Sequence, residues 1–172
     1  MNKRSEIADA LTRIGIYHLA NKGIVATQLG LGGQCIADII SIDWHNKIKI
    51  IEVKSCRQDF VNDFKWWNYT RFCDYFYFLA PPDVIDCKEL PSHVGLLNPY
   101  NAKRPIDQWY SCKVIKNPKK LKLIEEDERD IRLMVLRSFA WESRQAVHNF
   151  CPKCGRSCVQ VPTSMSTANK FY

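Results

Sequence analysis

Apolar positions along the chain switch repeatedly between helical and strand-like spacing, and the order of the switches predicts a layered α/β domain. Ile7, Leu11, Ile14 and His18 recur at helical intervals and Gly23 supplies a stop, so residues from about 5 to 21 form an amphipathic helix. Ile24 to Leu29 reads as a strand, as do the runs Ile36-Ala37-Asp38-Ile39-Ile40 and Ile48-Lys49-Ile50-Ile51. Gly30 to Gly33 and Asp43 to Asn46 are the turns between them. No helix follows the glycines, so they serve a turn and not a phosphate cradle. Helical spacing returns from Gln58 to about Tyr69, with Phe60, Val61, Phe64 and Trp67 toward the core. Gln58, Asn62, Lys65 and Tyr69 form a polar stripe on another side of that helix. Asp74 to Leu79 is a strand ended by Pro81-Pro82, its aromatics packing the core. Residues 83 to 108, with Pro91, Pro99 and Pro105, are expected to be irregular and to wrap the sheet edge, and Trp109 to Ile115 to form an edge strand. Glu125 to about Val147 is a second long helix, with acids in its first turn and arginines later, as the macrodipole favours. The expected fold is α/β, a mixed central sheet flanked by helices over residues 1–147, followed by a short Cys-rich tail over 148–172.

Two of these strands carry acid where buried strands ordinarily carry none. Residues two apart in a strand share a face, so Glu52 and Lys54 project together while Val53 turns away. If the two runs pair, Asp38 joins them, and two carboxylates and an amine meet at one spot. Such a group suits a divalent cation with a lysine beside it, the equipment for cutting phosphodiesters. A solvent-facing ion pair would account for Glu52 and Lys54 more simply. Both runs, however, have apolar residues on both faces, and an acid in a central strand is costly unless paired, hydrogen-bonded or bound to metal.

Asp38 followed by Glu52-Val53-Lys54 on adjoining strands resembles the PD-(D/E)XK nuclease superfamily. More narrowly, Glu52-Val53-Lys54-Ser55, Asp59-Phe60, Asp63-Phe64-Lys65-Trp66, Tyr69, Cys73-Asp74 and Tyr77-Phe78 look like the MmcB-like DNA repair family, with Leu90-Pro91 and Gly95-Leu96-Leu97 fitting as well. The likeness spans about residues 5 to 140. It implies a restriction-endonuclease-like fold and a Mg²⁺- or Mn²⁺-dependent deoxyribonuclease that leaves a 5′-phosphate, in DNA repair or processing. Asp38 and Glu52 would hold the cation, with the backbone carbonyl of Val53, and Lys54 would orient the attacking water. Glu6 on the first helix would complete the shell. The helix follows the Lys54 strand directly, so its polar stripe can face the site, which makes Gln58, Lys65 and Tyr69 auxiliary candidates; Lys65 with Tyr69 is also similar to the Gln-x-x-x-Tyr element of RecB-like nucleases. The chain departs from the pattern at Ala37, where the superfamily has its proline, and at Gln34-Cys35-Ile36, where basic residues are expected.

Composition narrows the partners. At 172 residues with 46% hydrophobic content the chain can bury a real core. No apolar stretch is long enough to span a bilayer, and Met-Asn-Lys-Arg-Ser lacks the core of a secretory signal. Five of the eight cysteines are scattered in apolar or aromatic contexts that suit free thiols, which points to reducing cytoplasm. The net charge of +7 favours a polyanion, and Lys113, Lys116, Lys119, Lys120 and Lys122 are the candidate phosphate contacts on DNA. In the tail, Cys151-Pro152-Lys153-Cys154 is a knuckle able to wrap a structural zinc, with Cys158 as third ligand. The fourth would be His148, Cys87, Cys112 or a group from a neighbouring subunit, and free thiols are the alternative. No Ser-His-Asp or Cys-His arrangement stands out. The alternative to a nuclease is a module that holds nucleic acid on a nuclease fold without cutting it.

Overall fold

The computed structural model describes residues 3–31, 35–122 and 130–138. A long helix α1 (Lys3–Ala20) leads into β1 (Gly23–Gly30), β2 (Ile36–Asp43) and β3 (Ile48–Val53). A short helix α2 (Arg57–Val61) and a 3₁₀ helix over Trp66–Phe72 precede β4 (Tyr75–Leu79) and β5 (Val94–Pro99). A second 3₁₀ turn, Ile106–Gln108, precedes β6 (Cys112–Lys116). The six strands form one mixed sheet in chain order. The β1–β2 and β2–β3 pairs are antiparallel, β3–β4 and β4–β5 parallel, and β5–β6 antiparallel. Residues 130–138 are helical.

The central strands are apolar on both faces because both faces are covered. On one, Leu11 and Ile14 of α1 pack with Ile39, Ile51, Leu79 and Leu97. On the other, Tyr69, Phe72, Ile131 and Val135 join Ile40, Ile50, Phe76, Phe78 and Leu96. The helix lies close to the sheet at Gly15, where a Cβ would sit 2.6 Å from Ile39 Cδ1.

Three expected elements are corrected. The single helix from Gln58 to Tyr69 breaks after Val61 and resumes as a 3₁₀ helix at Trp66. Asp63 Oδ1 accepts the Lys65 N–H at 2.9 Å, a local turn that competes with helix continuation. In the tighter helix, residues three apart eclipse, so Trp66, Tyr69 and Phe72 take the core side, while Val61, Phe64 and Trp67 are exposed. Second, the segment from 83 to 108 contains β5, every residue of which is buried. Its apolar run is bounded by prolines, which are tolerated at strand ends. Third, β6 starts at Cys112, three residues later than expected. The boundary between residues 147 and 148, most of the second long helix, and Cys151, Cys154, Cys158 and His148 lie outside the described residues.

Candidate active site

The antiparallel ladder of β2 and β3 runs from Ile42/Ile48 to Ile39/Ile51 and then stops. One further step in the same register would set Asp38 opposite Glu52. Their side chains take over the bonding there: the Asp38 N–H donates to Glu52 Oε1 at 3.2 Å, and the Val53 N–H donates to Asp38 Oδ2 at 2.9 Å. Backbone donors that the ended ladder would strand are satisfied by carboxylate instead. On the other side of β2, the pairing passes from Thr27/Ile39 to Leu29/Ala37 and skips Gln28. Gln28 sits at φ 50°, in the left-handed region, and its Nε2 donates to Asp38 Oδ1 at 3.1 Å. Asp38 is thereby fixed from both neighbouring strands.

Glu52 is only 4% exposed. Burial, and then the adjacent Asp38 carboxylate, push its carboxyl up to about 8. Lys54 follows the end of β3 and is also buried; its Nζ donates to Asp63 Oδ2 at 2.5 Å and lies 5.9 Å from the centre of the Phe78 ring. Ser55 Oγ donates to Asp59, whose carboxyl is held below its usual range by that bond. Asp9, Gln28, Asp38, Val53, Lys54 and Asp59 are among the residues lining one cleft of about 390 Å³.

The donors at this cleft are hard oxygens, which suit Mg²⁺ or Mn²⁺ and not a thiophilic metal. Among the described residues, no three His, Cys, Asp or Glu side chains gather as a metal cluster. Side-chain ligation would therefore rest on the Asp38–Glu52 pair, leaving places for backbone oxygen, water and a substrate phosphate, as Mg²⁺ commonly retains. Asp38 Oδ1, Asp38 Oδ2 and Glu52 Oε1 each keep a second lone pair beyond the N–H bond they accept. A dication would also relieve the conflict that burial and Asp38 impose on Glu52.

A family profile described as DNA repair protein MmcB-like matches residues 2–150. The chain belongs to the MmcB-like family of DNA repair proteins. Its fold is similar to a solved structure, the SPO1766 protein of unknown function from Silicibacter pomeroyi. The TM-score is 0.64 at 22% identity, over 83% of this chain and 89% of that one. No curated protein matches the sequence.

In this MmcB-like chain Asp38, Glu52 and Lys54 come together, whereas several other candidates do not join them. Glu6 is exposed and does not line the cleft; Asp9, three residues further along α1, does. Gln58 is exposed on α2 and donates to Asn62 at 2.8 Å. Lys65 is exposed in the segment between α2 and the 3₁₀ helix. Tyr69 is buried and donates its hydroxyl to the Ile36 carbonyl at 3.1 Å; burial, then the charge of Glu52, push its phenol upward. The helix break disperses the expected stripe.

The lysines divide in the same way. Lys116 Nζ donates to the carbonyls of Cys87, Leu90 and Pro91, which ties β6 to the loop before β5. Lys120 lies 3.6 Å from buried Asp74, and the Leu121 N–H donates to the Asp74 carbonyl. The Lys119 N–H donates to Ser92 O. Lys119, Lys120 and the neighbouring Lys122 thus belong to the N-terminal end of β4, opposite the end that carries Glu52 and Lys54. Lys113 is exposed on β6, three strands from β3. Cys112 is buried and donates to the Ile14 carbonyl; burial pushes its thiol up to about 12, which disfavours the thiolate a zinc would need. Among the described residues, no helix is long and apolar enough to cross a membrane.

Residue spacing does not single out Gln28, Asp9 or Asp63. Asp63 stands inside the family-like string, but its bond to Lys54 depends on the break after Val61. Gln28 is marked only by its left-handed backbone.

Proposed function

We propose that this MmcB-like protein is a metal-dependent deoxyribonuclease of restriction-endonuclease-like architecture, working in DNA repair or processing. The observation that carries the proposal is the end of the β2–β3 ladder. Two carboxylates replace backbone bonding there, one is buried with its pKa raised to about 8, and a buried lysine stands beside them. A structural role would be met more cheaply by continuing the ladder between apolar residues.

Asp38 and Glu52, with the Val53 carbonyl, would hold Mg²⁺ or Mn²⁺. Bound there, the cation would supply a lowered water pKa and charge neutralisation at the phosphate. Gln28 and the Val53 N–H hold Asp38 in place. Lys54 would orient the attacking water and donate to the phosphate oxygen that gains charge. Its low exposure strengthens that contact by limiting competition from solvent. Asp9 would face the same cleft from α1. The tail thiols Cys151, Cys154 and Cys158 are proposed to bind one structural zinc, separate from this chemistry.

Incubating the pure protein with labelled single-stranded, duplex and branched DNA, with and without Mn²⁺, tests the proposal. Cleavage is expected only with metal. Tight metal-independent binding with no cleavage of any substrate would overturn it in favour of a non-cleaving nucleic-acid-binding module.

A further inference from the structure

Hollows lie side by side along α1. The cleft that holds Asp38 and Lys54 shares Asp9, Thr12 and Gln28 with a neighbour of about 460 Å³, and Arg13 lines that neighbour as well. Arg13 also lines a further hollow of about 500 Å³, with Ile14, Tyr17, Trp109, Tyr110 and Ser111, between α1 and the segment leading into β6. Shared lining residues therefore join the candidate active site to an aromatic cleft. Arg13 stands one helical turn, about 6 Å, beyond Asp9.

The two ends of this row differ in charge. Asp9, Asp38 and Asp59 line the first cleft, whereas Arg13 is the one charged residue among the described residues lining the aromatic one. Arg13 is exposed, and no hydrogen bond or ion pair among the described residues involves it. Beneath it the cleft is firm: Trp109 is 5% exposed, and its indole N–H donates to the Arg104 carbonyl at 3.1 Å. Tyr17 and Tyr110 are exposed on backbone that is held. Tyr17 lies within α1, and the carbonyl of Ser111, next to Tyr110, accepts the Tyr100 N–H at 2.8 Å.

An aromatic hollow with one unpaired guanidinium suits a planar ring that carries an anion. A nucleotide has both, a base that stacks on aromatic side chains and a phosphate that pairs with guanidinium. A hollow of about 500 Å³ is within the ordinary range of small-ligand sites and large enough for one nucleotide. Bases in an intact duplex keep their faces on one another, so the nucleotide must be unpaired or turned out of the stack. Continuity with the cleft of Asp38 favours a nucleotide within a strand over a free one. A second copy of this chain fits less well, because a two-fold contact here would set hollow against hollow and Arg13 against Arg13.

We propose that this cleft holds one unpaired nucleotide of the DNA strand that reacts at Asp38, Glu52 and Lys54, its base against Trp109, Tyr17 and Tyr110 and its phosphate on Arg13. DNA with a single-stranded stretch is then the substrate class. The proposal rests on the DNA-cleaving reading of the neighbouring cleft, and its test uses binding without metal so that the two fail separately.

The test compares the parent, Arg13→Gln, Tyr17→Ala/Tyr110→Ala and Tyr17→Phe/Tyr110→Phe in metal-free buffer, with melting temperatures checked. The probes are a labelled single strand, the same strand without bases, a blunt duplex of equal length and free deoxyadenosine monophosphate. The double-alanine variant should lose roughly 10-fold in affinity for the single strand and nothing for the baseless strand or the duplex. The double-phenylalanine variant should behave like the parent. Arg13→Gln should weaken binding of both single strands and lower the magnitude of the salt slope by about 0.7. A single strand containing iodouracil, irradiated in the complex, should crosslink to Tyr17, Trp109 or Tyr110. Equal single-strand affinity in the parent and the double-alanine variant would overturn the proposal, even if the parent cuts DNA. So would tight binding of the free monophosphate without binding of the strand, or a parent dimer that the alanine substitutions dissociate. The expected losses and crosslinks in a protein that cuts nothing would uphold the nucleotide site and remove only the nuclease reading.

Discussion

Glu52 combines burial with a like charge, and the consequence is a pH dependence of definite sign. Its carboxyl is raised to about 8 in the fold against an ordinary value of 4.5. Between those values the folded chain keeps a proton that the unfolded chain gives up, so stability falls as pH rises through the window and levels off above it. Melting temperatures in metal-free buffer should show this decline, and Glu52→Gln should flatten it. Metal binding must expel the same proton, so Mn²⁺ affinity measured by calorimetry should rise with pH up to about 8. Lys54→Ala should reduce cleavage by at least about 100-fold while leaving Mn²⁺ affinity nearly intact, because it removes a transition-state contact and no ligand. Asp38→Asn should weaken Mn²⁺ binding itself, and the double variant should cleave scarcely less than either single one. Parent-like cleavage by Lys54→Ala would take this lysine out of the chemistry. Asp38, Glu52 and Lys54 were legible in the sequence because each interrupts or ends an apolar run. Asp9 was less so: on an exposed helix face, Asp9 and Glu6 look alike until the cleft shows which one lines it.

At the scale of elements, the site depends on two interruptions, the end of the β2–β3 ladder and the break between α2 and the 3₁₀ helix. The break brings Asp63 to Lys54, and Asp63→Asn should free the ammonium from its fixed position. The expected result is a fall in kcat of roughly 10-fold with little change in KM. In a Lys54→Ala background the same substitution should cost nothing further, since Asp63 acts through the lysine. A further loss in that background would make Asp63 a fold-stabilising residue instead. Sequence spacing gave α1 and strands β1 to β4 nearly as found, because their apolar periodicity is strong. The break was hidden because Phe64 and Trp67 fit a 3.6-residue period, while Trp66, Tyr69 and Phe72 fit a period of three equally well. Only packing against Phe76 and Phe78 decides between them. β5 was hidden by its flanking prolines, which mark its ends but read from sequence as signs of a loop.

At the scale of the molecule, the described lysines of the 113–122 segment are spread along the sheet, most of them away from the end that carries Glu52 and Lys54. Four steps along β4, at about 3.3 Å each, place the Asp74 end roughly 13 Å from the end level with Val53. Lys119, Lys120 and Lys122 belong to the Asp74 end. Their replacement by Gln should leave both kcat and the salt dependence of binding to a short single strand unchanged. A flattened slope in the triple lysine variant would show that DNA crosses the far end of the sheet. Lys113 then has a different consequence. It lies on β6, the outermost strand, ahead of the exposed Val114 and Ile115, with Lys116 and Pro118 following. Among the described residues no strand pairs with the outer edge of β6, and a rim with two exposed β-branched residues invites edge-to-edge zippering with another molecule. A strand of five residues, charged at Lys113 and closely followed by a proline, resists it. The lysine expected to grip a phosphate is placed where it can act as a gatekeeper against aggregation.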